Sequence, residues 1–206
     1  MPFLIDEAHL PATLTTGPMS DEEFSSLCGE HPGLTFETTA EGELVITPQT
    51  YTLTGARNNQ IAVQLGQWAW EDGSGLSFDS STGWVLPDSS RRSPDGAWIS
   101  QARAGQVPEN AREGFWHVCP EFVIELRSSS DRLQTLRKKM ENWMANGVRL
   151  GWLIDPERRA VEIYRPGRHP EILEGIDALP GEGPVSGFTL DLRRVWSPYP
   201  NRQSVA

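Results

Sequence analysis

The chain has 206 residues, enough for one well-buried core but hardly for two independent ones. Its formal charge of -10 excludes an indiscriminate coat on nucleic acid, while leaving room for a local basic strip. Two cysteines without CxxC or Cys/His spacing argue against a zinc knuckle or a disulfide framework, and the four histidines form no ligand set.

No basic-then-apolar leader opens the sequence and no apolar run of about 18 residues occurs, so a cytoplasmic protein without membrane contact is expected. Residues 1 to 17 read as a weakly patterned N-terminal arm that could pack on a neighbour. Residues 18 to 196 read as a single domain and residues 197 to 206 as a flexible tail. A homodimer is the expected assembly on general grounds.

Taken in order, Ser20-Asp21-Glu22-Glu23 looks like a cap followed by an acidic first turn, giving a short helix through about Cys28. LTFETTAEGELVIT predicts two strands joined near Gly42, with Leu44 and Ile46 facing one way and Glu43, Val45 and Thr47 the other. Ile61, Leu65 and Trp68 recur at helical spacing and predict a helix over residues 55 to 71, stopped by Gly73 and Gly75. GLSFDSSTGWVLP predicts a pair of strands turning at residues 81 to 83, and residues 87 to 93 a loop leading into the apolar run GAWI. Residues 100 to 118 form the one long connection, either a helical or mobile cover near a site or a plain surface loop.

PEFVIEL then predicts a buried strand. Residues 131 to 146 predict a helix whose apolar face gathers Leu133, Leu136, Met140, Trp143 and Met144. Lys138 points away from that face; Lys139 and Arg137 lie on its two borders, where a long side chain can run along the core and carry its charge to the sheet. RLGWLID is a further strand, followed by a hairpin turning at residues 155 to 159. EILEG and GFTLDLRRVW suggest edge strands or a short terminal helix.

Two acids stand out because an apolar strand has no structural need for them: Asp95, between Pro94 and Gly96, and Glu125, between Ile124 and Leu126. A buried carboxylate costs several kcal/mol (roughly) unless a partner or cation compensates it. They are either structural ion-pair acids or a site. As a site, two hard oxygen ligands from neighbouring strands, completed by a backbone carbonyl and water, suit Mg²⁺ or Mn²⁺. Arg127, Arg132, Arg137, Lys138 and Lys139 form a basic strip directly afterwards, available to phosphate or to solvent.

These residues resemble the core of PD-(D/E)XK nucleases. The wider pattern, GELVITP at 42 to 48, RSPDGAWIS at 92 to 100, CPEFVIELRSSSD at 119 to 131, KMENWMANGVRLGWLIDP at 139 to 156 and VEIYRPG at 161 to 167, is similar to the Uma2 family of restriction-endonuclease-like proteins. The resemblance covers about residues 18 to 190. It implies an α/β fold with a mixed central sheet flanked by helices and extended by antiparallel hairpins. It also implies Mg²⁺-dependent phosphodiester hydrolysis in nucleic acid, DNA above all. Asp95 and Glu125 would be the metal-binding acids, the Leu126 carbonyl a further ligand, and Lys139 the catalytic lysine that positions or activates water.

The usual lysine two residues after the second acid is replaced by Arg127, a poor general base suited to phosphate or to fixing Glu125. Glu43 resembles the family's acid of the early strand, Asn58 stands where many members have histidine, and Arg132 and Arg137 would receive phosphate. The alternatives from other classes are a catalytically silent nucleic-acid-binding protein that keeps the fold, and an oligomeric interaction protein that uses its tryptophans.

Overall fold

The computed structural model describes residue 5 and residues 9 to 199; residues 1 to 4 and 6 to 8 of the expected arm and 200 to 206 of the expected tail lie outside the described residues. In chain order the elements are β1 (Ala12–Thr15), α1 (Asp21–Glu30), β2 (Leu34–Thr38), β3 (Glu43–Pro48), α2 (Thr52–Asp72), β4 (Gly75–Asp79), β5 (Trp84–Val85), β6 (Arg91–Arg92) and β7 (Gly96–Ser100). They continue with α3 (Gln101–Ala104), β8 (Phe122–Leu126), α4 (Leu133–Ala145), β9 (Leu150–Asp155), β10 (Ala160–Tyr164), β11 (Glu171–Glu174), β12 (Ala178–Pro180), β13 (Thr189–Asp191) and α5 (Arg193–Trp196).

The central sheet runs β11-β10-β9-β8-β7-β4, antiparallel except for the β8–β9 pair, which is parallel. Parallel neighbours need a long crossover, and α4 supplies it. Every residue of β8 and β9 is buried, as a strand covered on both faces requires, which explains their near-continuous apolar runs. On one face α2 sets Ile61, Leu65 and Ala69 against Phe122, Ile124, Trp152 and Ile154. On the other, α4 sets Met140 and Trp143 against Ala97, Ile99, Val123 and Leu153. Gly151 permits that close approach: a β-carbon there would collide with the Met140 methyl.

The helices have the expected causes. Ser20 accepts from the Glu23 N–H while the Glu23 carboxylate accepts from the Ser20 N–H, a complete capping box at α1. Gly73 ends α2 at φ 68°, a left-handed conformation that a β-carbon would penalise. α2 starts slightly earlier than the apolar spacing predicts, because Thr52 to Thr54 extend it by nearly a turn.

A second sheet, β1-β3-β2-β6-β5, packs Phe36, Leu44 and Ile46 against Phe24 of α1. Its edge strand β1 comes from the stretch read as an arm, and β6 from the stretch read as a loop. The pair expected from GLSFDSSTGWVLP does not form. The turn is present, with the Ser81 N–H donating to Asp79, but β4 pairs with β7 in the central sheet and β5 with β6 in the second. β7 offers β4 five consecutive partners, from Ser100 to Gly96, whereas β5 is only two residues long.

The long connection over residues 100 to 118 is built from α3 and a 3-10 turn at Glu109–Ala111, and its Phe115 packs edge-on against Phe24. Trp84, Trp98, Trp143 and Trp152 are buried, whereas Trp70 on the outer face of α2 is 89% exposed.

Candidate active site

β7 and β8 bring the two acids together. Gly96 pairs with Ile124 and Ala97 with Val123, so continuing the antiparallel register by one residue sets Asp95 opposite Glu125. Directly opposed residues project from the same face of a sheet, here the face shared with Ala97 and Val123 that α4 covers.

Each carboxylate is held by named donors. Asp95 Oδ2 accepts from the Leu126 N–H at 2.7 Å, and Oδ1 from Asn58 Nδ2 at 2.7 Å. Asn58 is carried by α2 across the opposite face of the sheet and is itself buried. Glu125 Oε1 accepts from the Trp143 indole N–H at 2.8 Å, and Oε2 lies 3.0 Å from Lys139 Nζ. Lys139 and Trp143 are four residues apart on α4, so one helix face presents both groups to one carboxylate.

Lys139 is the centre of the arrangement. Besides Glu125 it meets Glu37 Oε1 at 2.8 Å and donates to the Ser93 carbonyl at 2.8 Å. An ammonium has three N–H donors, and these three acceptors occupy them. Glu37, from β2, also accepts from the Ser93 N–H at 2.7 Å and faces Arg92 at 3.4 Å.

The acids differ in how well their charge is compensated. Burial pushes the Glu37 carboxyl up, but Lys139, Arg92 and its hydrogen bonds more than offset that and leave it below the ordinary value. Burial raises Asp95 above its ordinary value despite the Leu126 N–H, Lys139 and Asn58. Burial lifts Glu125 to about 8, with Lys139 opposing and the charges of Asp95 and Glu37 adding to the rise. Lys139 itself is desolvated, yet Glu125 and Glu37 hold its pKa above the usual lysine value. Three carboxylates therefore face two cationic side chains, and the uncompensated charge sits on Asp95 and Glu125.

That imbalance, between two hard oxygen donors, suits a divalent cation. So does the Asn58 side-chain carbonyl oxygen, which is buried and has no hydrogen-bond partner among the described residues although its own amide nitrogen is on Asp95. Among the described residues no group of three or more His, Cys, Asp or Glu side chains is arranged to hold a metal ion. A cation at the acid pair would thus complete its shell from backbone, Asn58 and water.

Other expected members fall elsewhere. Glu43 is exposed at the start of β3, opposite Thr15 of β1, and the early-strand acid that reaches the site is Glu37. Glu37 carried a signal of its own, being the one acid in LTFET on the face opposite buried Phe36 and Thr38. Arg127 does not fix Glu125; its guanidinium lies 2.9 Å from buried Asp155 and 3.0 Å from Glu157. Arg137 grips buried Glu162 through both Nε and Nη2, and Glu162 also accepts from the Tyr164 hydroxyl. Arg132 precedes α4, exposed and without an ion pair among the described residues.

A mixed sheet between two helices, with an aspartate entering one strand, a glutamate on the next and a lysine from the crossover helix, is the architecture of restriction-endonuclease-like α/β proteins. The Uma2 family, described as "Putative restriction endonuclease", matches residues 21–193, and the chain belongs to it.

One solved structure shares the fold. A crystal structure from Anabaena variabilis ATCC 29413, described as a putative nuclease belonging to DUF820, is similar at a TM-score of 0.72 and 22% identity, over 87% of this chain and 98% of that one. A cryo-electron-microscopy structure of a DrdV–DNA complex matches at a TM-score of 0.35 and 15% identity, over 58% of this chain and 10% of that one. No curated protein matches the chain. Among the described residues no helix is long and apolar enough to cross a membrane.

Proposed function

We propose that the chain is a divalent-cation-dependent phosphodiesterase acting on nucleic acid, DNA in the first instance. The observation that carries this reading is the opposed and under-compensated pair of half-buried Asp95 and buried Glu125 beside a charged Lys139.

Asp95 and Glu125 would hold Mg²⁺ or Mn²⁺ together with the Leu126 backbone carbonyl. The ion, when bound, lowers the pKa of a coordinated water and neutralises charge on a phosphate oxygen. Asn58 and the Leu126 N–H fix the Asp95 carboxylate, and the Trp143 indole fixes that of Glu125, so both enter the reaction already oriented.

Lys139 serves as a fixed positive charge. A lysine whose three donors are occupied and whose pKa lies above the ordinary value is unsuited to accept a proton at neutral pH. Its ammonium holds Glu125 in place and offsets negative charge near the attacking water. The proton from that water must then leave to solvent or to the phosphate itself.

Incubating plasmid and single-stranded DNA with the protein in Mg²⁺ or Mn²⁺ tests the proposal. Cleavage is expected from the wild type and absent from Asp95→Ala. A folded wild-type protein inert toward every nucleic acid with every divalent cation would overturn it.

A further inference from the structure

The arginines expected to receive the nucleic-acid backbone leave most of that role open, since Arg127 and Arg137 are committed to the buried acids Asp155 and Glu162. A different basic surface lies at the same end of the sheet as the acid pair. An open cleft of about 910 Å³ is lined by Arg159, Arg193 and Arg194, with Asp191 as the one acid among the lining residues and Tyr199 at its side.

Two chain connections place this cleft at the site's end of the sheet. Gln60 in its wall belongs to α2, the helix whose Asn58 reaches Asp95, although residues two apart on a helix face different ways. Pro156 in its opposite wall follows Asp155, the partner of Arg127 just beyond Glu125. Arg57, which adjoins Asn58, donates through Nε to the Val195 carbonyl and ties α5 against this part of α2.

The cleft's arginines are available to an anion in a way that Arg127 and Arg137 are not. Arg193 and Arg194 share the single carboxylate of Asp191, at 2.9 and 3.7 Å, so among the described residues one positive charge is left over. Arg159 meets Asp177 at 3.4 Å, with both side chains more than half exposed. Exposed pairs of this kind contribute about 0–1 kcal/mol, so an incoming phosphate displaces them at little cost. Guanidinium forks match phosphate oxygens bidentately, and the Tyr199 ring, 70% exposed, offers a face on which a base can stack.

We propose that the strand being cut runs from the Asp95–Glu125 pair into this cleft, where Arg159, Arg193 and Arg194 contact consecutive phosphates. The inference rests on the phosphodiesterase reading for the identity of the partner. The surface can nevertheless be tested without hydrolysis.

Fluorescence anisotropy of a labelled DNA oligonucleotide is measured in EDTA over a range of salt, with circular dichroism to verify folding. The triple variant Arg159→Gln, Arg193→Gln, Arg194→Gln is expected to bind at least about tenfold more weakly. The slope of log affinity against log salt should fall by about 2 to 3, since each lost phosphate contact removes about 0.9. Arg168→Gln, in the exposed turn that follows β10 at the opposite end of the sheet, should bind as the wild type does.

Should the triple variant fail to fold, Arg194→Gln alone is expected to weaken binding about two- to fivefold. A folded variant with wild-type affinity and slope overturns the inference, as does a wild type that does not bind DNA. Salt-sensitive binding through these arginines without any cation-dependent cleavage upholds the surface and overturns the hydrolytic reading instead.

Discussion

Lys139 Nζ lies 2.8 Å from Glu37 Oε1 and 3.0 Å from Glu125 Oε2, so one ammonium joins the second sheet to the central one. Removing one member of a buried ion pair strands the other charge and costs about 3–5 kcal/mol. Lys139→Met is expected to lower stability by that amount at neutral pH, because three acids then lose their shared cation. Glu37→Gln should cost less, about 1–3 kcal/mol, because Lys139 keeps Glu125. Urea unfolding monitored by far-ultraviolet circular dichroism measures both, and equal losses in the two variants would contradict the shared-hub arrangement.

The pH dependence follows from the sign of the Glu125 shift. Its folded pKa of about 8 lies above the ordinary carboxylate value of 4.5, so the folded state holds a proton that the unfolded state releases. The stability this confers is fully present below the ordinary value and is lost as pH rises through about 8. Asp95, also raised, acts in the same sense. The melting temperature in EDTA should therefore fall as pH rises toward 8.5. Mn²⁺ at about a hundredfold excess over its Kd should restore about 2.7 kcal/mol at the upper end and much less near pH 5, where protons compete for the same oxygens. A Mn²⁺ response independent of pH would remove the carboxylates as its origin.

Among the described residues the Asn58 side chain makes one bond and leaves one atom unsatisfied: its amide nitrogen is on Asp95, and its carbonyl oxygen is buried without a partner. An unsatisfied buried acceptor costs about 1–3 kcal/mol, a cost recovered when a cation or its water reaches that oxygen. Asn58→Ala is expected to weaken Mn²⁺ binding about three- to tenfold by isothermal calorimetry. Its cation-free stability should change by less than that of Lys139→Met.

Burial pushes the Cys119 thiol up to about 12 and raises Cys28 less strongly. Since the thiolate is the reactive form, Cys119 should react with Ellman's reagent at pH 8 far more slowly in the native protein than in urea. Cys28, half-buried, should react first. Equal rates at the two thiols would show that the β7–β8 end of the core opens readily.

The acid pair was legible because Asp95 and Glu125 interrupt apolar strands, and Lys139 because its helical angle places it at a face border. Both signals are local. Alternation within LTFET sets Glu37 apart from Phe36 and Thr38, but its partnership with Lys139 depends on how β2 of one sheet meets α4 across another, which no local spacing encodes. The choice of Glu43 followed from the same gap. The ion-pair partners of Arg127 and Arg137 are hidden from the sequence for a related reason. Asp155 and Glu162 lie in the strands β9 and β10, where a turn and an apolar-polar alternation accounted for them without ion pairs. The expected strand pair over residues 75 to 87 failed on competition between partners, since β7 offers β4 a longer ladder than β5 can.

Of the eight tryptophans, Trp70 alone stands almost wholly in water, while four others are sealed in the interior. The molecule thus carries a built-in optical contrast. Acrylamide should quench the red edge of its emission before the blue, and anything that settles on the outer side of α2 would shift that red component without any label being attached.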